Sequence, residues 1–377
     1  MIPLFIPRRK MDVHSALIIA LLVGIAGLVP ARQTLAQAIA YKVTELSPTS
    51  DAGQVPCRLN NLGDVAGRAG DSLSGQTQAT IWNDASLRRR NLGNLGGGEY
   101  SSASDINDAG EVAGAANTGK AIVPLVWTAT GGLRRVPLLA GDSCGQATAI
   151  NKYGHVVGYS SGPNGVRAFL WTRTGGVRDL GVLQGGNYSR AHALNDSDEV
   201  AGMSASSAGG RAVLWTKTGS VRDLGTLPGD TSSEAIAINN TGEVVGYSKG
   251  PRGMRAFLWT QANGMQDMGV LAGGNSSQAL ALNDDGEVVG SSTSSTGERA
   301  FIWTKQAGMI DLNSASSADL GVVFIEAHAI NSRGEILVMG RNTHELGMTD
   351  DTAPGEPPIC APAPPSSFIL TPVTAAK

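Results

Sequence analysis

A chain of 377 residues with a formal net charge of −3 carries no electrostatic footprint for nucleic acid. Charged residues make up only 16%, and 50 glycines accompany abundant Ser and Thr, which fits turn-rich all-β structure. The 41% hydrophobic content, regularly spaced, argues against a disordered chain.

The N-terminus reads as a targeting segment. Arg8, Arg9 and Lys10 form a basic start. Ala16–Val29, "ALIIALLVGIAGLV", is an unbroken apolar run of 14 residues, and Ala36-Gln37-Ala38 offers the small residues a signal peptidase reads. The run is shorter than the roughly 20 residues a membrane-spanning helix needs. Residues 1–38 are therefore expected to be a cleaved signal peptide, with the start at Met1 or Met11. Residues 39–377 are expected to form one exported domain, extracellular or periplasmic, with no integral membrane segment. A short β-type segment follows, "YKVTELS" (Tyr41–Ser47).

From there the chain repeats. All six tryptophans, Trp82, Trp127, Trp171, Trp215, Trp259 and Trp303, occupy one motif, at intervals of 45, 44, 44, 44 and 44 residues. A period in this range marks a repeat architecture, and units of four strands mark a propeller. Residues Ala235–Gly269 read as four β-type runs: "AIAIN", "EVVGYS", "RAFLWT" and "MQDMG", each bounded by turn residues.

The first turn opens with Asn60, Asn107, Asn151, Asn195, Asn239, Asn283 and Asn331, and Gly follows three positions later in all copies except the one with Asp198. That pairing is what a type I turn with a left-handed fourth residue prefers, so the asparagines are expected to be structural. The first strand alternates alanines, such as Ala235 and Ala237, which suits a crowded hub. In "RAFLWT" the pleat separates Arg255, Phe257 and Trp259 from Ala256, Leu258 and Thr260, and both faces carry apolar bulk. Arg167, Arg211, Arg255 and Arg299 each precede an acid by 12 residues: Asp179, Asp223, Asp267 and Asp311. Folded as a hairpin, each pair falls opposite or diagonal, predicting a ladder of ion pairs. Both charges are absent in the first copy (Gln78, Asn91), and in the second Val123 lacks the Arg and no Asp follows.

Counting strands decides the closure. The Asn-turn strand pair occurs seven times, and the Trp strand six times plus "SFILT" (Ser367–Thr371), where Leu370 stands for Trp. The fourth strand follows each Trp, and its seventh copy is Tyr41–Ser47, which matches "GVRDLGV" (Gly176–Val182). The reading is an all-β, seven-bladed β-propeller of four-stranded blades, its ring closed by the N-terminal strand completing the last blade. The pattern "AINNTGEVVGYS…RAFLWT…DMGVLAGG" resembles the HAF-repeat family of bacterial extracellular proteins, named for His-Ala-Phe, over about residues 41–340. Arg replaces the His here in four copies. The resemblance implies export and a bacterial source, and no catalytic residue.

The tight turns fall on one rim; the connections from strand two to three and from strand four to the next blade are expected to form a loop-rich opposite face. In the last blade the Asn-to-Trp interval of 20 grows to 39, giving a Pro-rich insertion at residues 341–366 that could cap the channel. Of Cys57, Cys144 and Cys360, the pair Cys57–Cys360 could staple the closure, with Cys144 the rival partner. Four hub residues break the repeat: Arg58 and Asp105 at matching positions, and His192 and His328 on the other strand face. Two histidines without a third ligand make a poor metal site, and no cofactor motif or nucleophile set stands out. The expectation is a secreted binding or scaffold module. Its extracellular ligand, unidentified, would be a glycan, protein or envelope surface held on the loop-rich face. The alternatives are a hydrolase or lyase at the channel mouth and a purely structural envelope protein.

Overall fold

The computed structural model describes residues 40–46, 55–70, 75–83, 88–96, 98–315, 321–343 and 366–373. The proposed signal peptide, Cys360 and most of the Pro-rich insertion lie outside them.

The strand count holds. Seven four-stranded antiparallel sheets form the ring, and in blades I to VI the strands run inner to outer in chain order. Blade V is typical: Ser232–Ile238, Val244–Gly250, Gly253–Thr260 and Gly264–Asp267. Blades I to IV and VI span residues 55–93, 101–135, 144–179, 189–223 and 277–311. Blade VII is built from both ends of the chain: Val322–Ile330, Ile336–Asn342 and Ser366–Pro372, with Tyr41–Glu45 as its outer strand. The closing register sets Tyr41 against Pro372 and Val43 against Leu370. One four-residue helix, Leu312–Ala315, follows blade VI.

Both faces of each blade are buried because each packs on a neighbour. Ala201, Leu214 and Leu227 from the blade IV side meet Ile238, Val244, Phe257 and Trp259 of blade V. The same packing crosses the closure, where Leu46, Leu337 and Ile369 meet Leu59, Val65 and Trp82. Trp82, Trp127, Trp215 and Trp259 are buried and Leu370 fills the seventh position; Trp171 and Trp303 remain partly open.

Each inner strand carries a bulge, in blade V between Ala235 and Ala237. The alanines pack between blades rather than in the channel. The bulge also draws the strands together: a Cβ on Gly246 would lie 2.0 Å from the Glu234 carbonyl oxygen, so only glycine fits there.

Two expectations need correction. The connection from strand two to three is not a long loop in blades III to VI. Strand pairing continues to Gly250 and Gly253, leaving only Pro251 and Arg252 between, because a left-handed glycine (Gly253, φ 96°) closes the hairpin tightly. The loop-rich rim is therefore made by the blade-to-blade links. The Pro-rich insertion is also shorter at both ends, since Arg341 and Asn342 continue one strand and Ser366 begins the next.

Candidate functional site

The seven asparagines do more than turn the chain. In blade V the Asn239 carbonyl accepts the Gly242 N–H at 3.1 Å, and its Oδ1 accepts the N–H groups of Thr241 and Glu243 at 3.2 and 2.9 Å. Its Nδ2 donates to Glu243 at 3.0 Å and, across the blade boundary, to the Asn283 carbonyl at 3.1 Å. The cross-blade bond recurs around the whole ring, from Asn60 to Asn107, on through Asn151, Asn195, Asn239 and Asn283 to Asn331, and back to Asn60. In blades II to VII the amide oxygen and both Nδ2 hydrogens of these buried asparagines are used. Asp198 takes the left-handed position of the missing glycine with φ 61°. This belt rims a mouth of about 230 Å³ whose floor is Leu59, Ile106, Ile150 and their equivalents.

At mid-channel the residue left over by the bulge turns inward in blades I to V. Cys57, Ser104, Thr148, His192 and Ile236 line a cavity of about 220 Å³ together with Arg58 and Gln146. The four predicted hub residues are not gathered into one site. Arg58 donates to the carbonyls of His328 (3.1 Å) and Cys57 (3.2 Å), and Asp105 accepts the N–H groups of Ile106 and Ile150, both at 2.9 Å. Arg58 and Asp105, which could have paired with each other from their matching positions, bond to main chain instead. Burial still lifts the Asp105 carboxyl to about 6, against the pull of Arg58. Burial and Arg58 together lower His328 to about 4, so its imidazole is neutral at pH 7. Burial also pushes the Cys57 thiol up, which favours the unreactive thiol form. Among the described residues Cys57 and Cys144 form no disulfide with each other, and the pairing of either with Cys360 falls outside the described residues.

Two of the four meet carboxylates the sequence pattern did not single out: His328 Nε2 lies 3.4 Å from Glu326 Oε1 within one strand, and His192 enters a larger cluster. Its Nε2 lies 2.7 Å from Glu234 Oε1, across the boundary of blades IV and V. The hydroxyl of Tyr247 donates to the other Glu234 oxygen. Burial raises the Glu234 carboxyl, but His192, Tyr247 and Arg190 outweigh it and hold it below the ordinary carboxylate value. Arg190 itself lies over two rings, 4.5 Å from Tyr159 and 5.4 Å from Tyr188, and its buried Nε makes no hydrogen bond. All of this sits where the inner strands begin, on the rim of the blade-to-blade links. The sequence carried no clear signal for it: matching positions read Gln146, Arg190, Glu234, Gln278 and Glu326, with no constant residue among them.

The ion-pair ladder is present on the outer strands, with Arg167–Asp179 and Arg255–Asp267 at 3.3 Å, Arg299–Asp311 at 3.9 Å and Arg211–Asp223 at 4.0 Å. The register pairs Phe257 with Asp267, so each Arg reaches its Asp diagonally. These arginines are structural and not available as a repeated anion site.

No family model matches the chain, and no curated protein matches it. Solved structures do. A structural analysis of prolyl endopeptidases includes a chain with a TM-score of 0.52 at 11% identity, over 78% of this chain and 48% of that one. The β-propeller domain of the Trilobed protease from Pyrococcus furiosus gives 0.49 at 9% identity, over 79% and 92%. TolB from Acinetobacter baumannii gives 0.47 at 12%, over 66% and 63%. This chain is a seven-bladed β-propeller. At such identities the likeness shows the fold alone, and this propeller spans less than two thirds of TolB and about half of the peptidase chain. Among the described residues no helix is long and apolar enough to cross a membrane, and no group of three or more His, Cys, Asp or Glu side chains could hold a metal ion.

Proposed function

We propose that this propeller is a secreted, non-enzymatic binding module that holds its ligand at the link-side mouth of the channel. The observation that carries the reading is Arg190, stacked on Tyr159 and Tyr188 beside the His192–Glu234–Tyr247 set. Tyrosine and arginine are the anchors binding surfaces favour. A hydrolase would need a carboxylate left free to exchange protons near neutral pH. Glu234 is instead held ionised by its neighbours and Asp105 is tied to two main-chain N–H groups, which leaves Glu326, raised by burial and 3.4 Å from His328, as the carboxylate on which the hydrolase alternative would rest. The leader-like start and the motif resemblance to HAF-repeat proteins support export and membership of that family.

The test is capture of the purified chain on glycan arrays and on bacterial envelope fractions, with Arg190→Ala and Tyr188→Ala alongside. Binding that the two substitutions abolish supports the reading. Undiminished binding moves the site elsewhere, and turnover of a captured ligand replaces the module with the hydrolase or lyase.

A further inference from the structure

A second site lies on the outer wall, between blades II and III and on the Asn-turn rim. Two departures from the repeat create it. In blade I, Arg90 lies 4.8 Å over the ring of Trp127 in the next blade, and in blade IV, Arg222 lies 5.7 Å over Trp259. Arg134 occupies the same register position in blade II, opposite Val126, as Arg90 does opposite Ile81. It does not cover Trp171. Its Nε folds back to the Gly131 carbonyl at 3.3 Å. A groove of about 380 Å³ remains, with Trp171 on one wall and Arg134, Arg135 and Arg173 around it.

The second departure is Arg135. It stands opposite Leu125, where blades III to VI place the aspartate of the ladder, and Val123 stands where they place the arginine. The ladder in blade II is therefore absent and its acid reversed to a cation. Arg134 and Arg135 are both exposed, and neither has a carboxylate within ion-pair distance among the described residues. Arg173 pairs with Glu111 across the same gap, which steadies the groove's far side.

We infer that this groove binds an acidic polysaccharide. The open indole face takes a sugar ring, and the guanidinium groups of Arg134 and Arg135 take its carboxylate or sulfate groups through charge-assisted, bidentate bonds. A single-stranded nucleic acid fits less well. It would need successive stacking platforms, and the neighbouring indoles Trp127 and Trp215 are buried. The proposal is independent of the channel-mouth reading and would survive its failure.

The test titrates the full chain with polygalacturonate, dextran sulfate, uncharged dextran and oligothymidylate, following tryptophan fluorescence and sedimentation. At low ionic strength polygalacturonate, dextran sulfate or both bind and uncharged dextran does not. If dextran sulfate alone binds, the recognised group is sulfate; if both bind, a carboxylate suffices. Binding disappears near 0.5 M NaCl, where the screening length is about 4 Å. The exposed double variant Arg134→Glu/Arg135→Glu, checked for folding by circular dichroism, weakens binding by about ten-fold or more, in line with loss of hydrogen bonds to charged groups. Lys217→Glu, exposed on blade IV, leaves it unchanged, as does Arg190→Ala. The idea fails if neither acidic glycan binds, if uncharged dextran binds equally, if the double variant binds like the parent, or if oligothymidylate binds tighter than both glycans.

Discussion

Asn331 donates its side-chain amide to the main-chain carbonyl of Asn60 at 3.0 Å, joining positions 271 residues apart in sequence. The same bond links every other pair of neighbouring blades, so one amide both shapes its own turn through Oδ1 and clamps the next blade through Nδ2. The two roles can be separated by substitution. Asn239→Asp keeps the turn acceptor, removes the clamp donor and faces a second carboxylate on Glu243. Asn239→Ala removes both roles but leaves no new charge. We expect Asn239→Ala to cost about 1–3 kcal/mol, and Asn239→Asp to be at least as destabilising at pH 7. Urea denaturation checks this. An aspartate variant as stable as the parent would reduce the clamp to a by-product of the turn.

The acid of the ladder should matter more than its base. Asp267 accepts the Gly269 N–H at 2.8 Å as well as pairing with Arg255, and Asp179 and Asp223 bond Gly181 and Gly225 in the same way. Arg255→Ala removes only a partly exposed pair, of order 0.2–1 kcal/mol. Asp267→Ala removes that pair and the turn, about 1 kcal/mol more. A double-mutant cycle of Arg255 and Asp267 measures the pair alone; a coupling energy of zero would mean the ladder is geometric only.

Asp105 and His328 give opposite pH dependences that nearly mask each other. Burial raises Asp105 from 3.8 to about 6, so its contribution is complete below the lower value and is lost as pH rises through the upper one. Burial lowers His328 from 6.5 to about 4, so its contribution is complete above the upper value and is lost as pH falls. Asp105→Asn, which keeps an acceptor oxygen, should leave a protein that loses stability from about pH 6.5 towards 4. His328→Gln should leave one that gains stability over the same span. Denaturation midpoints at four pH values decide it, and parallel profiles for the two variants would refute the assignment.

The closing strand should be needed for full stability. Removing residues before Ser47 strips the pairing of Tyr41–Glu45 with Ser366–Pro372 and takes buried Tyr41 and Leu46 out of two core clusters. Loss of two such side chains costs several kcal/mol, roughly 2–5 each, and leaves a bare sheet edge prone to pairing with other chains. Thermal melting and light scattering of the shortened chain should show a lower transition and self-association. An unchanged melting curve would mean that blade VII stands on three strands.

The ring, its phase and its ladder were legible because they depend on local patterning repeated many times. Period, turn chemistry and an invariant offset between Arg and Asp survive without knowledge of the third dimension. Contacts between blades were not legible in that way. Asn239 looked fully explained by its own turn, and nothing in one repeat says that its second amide hydrogen points at the next. Ser277 is a similar case. It reads as loop composition, yet it accepts the Ala256 N–H of the preceding blade at 3.0 Å and donates to the Gly269 carbonyl at 2.6 Å. The hub was half legible. Arg58, Asp105, His192 and His328 were visible as exceptions, but the bulge decides which of them meets the channel, and a bulge changes parity without leaving a mark in composition. Arg190 and Glu234 escaped because their positions never held a constant residue to break.

In repeat proteins, units can be gained or lost one at a time, and this chain is built from seven such units. Sheet packing alone would tolerate some of that variation, since each face sees only its neighbour. The asparagine belt does not. Its seven amides all donate in one rotational sense, each across 3.0–3.2 Å, and the last must land on the first. An eighth unit would change the angle at every boundary at once and pull each amide off its carbonyl. The belt thus counts the blades, and ties the repeat to a fixed number.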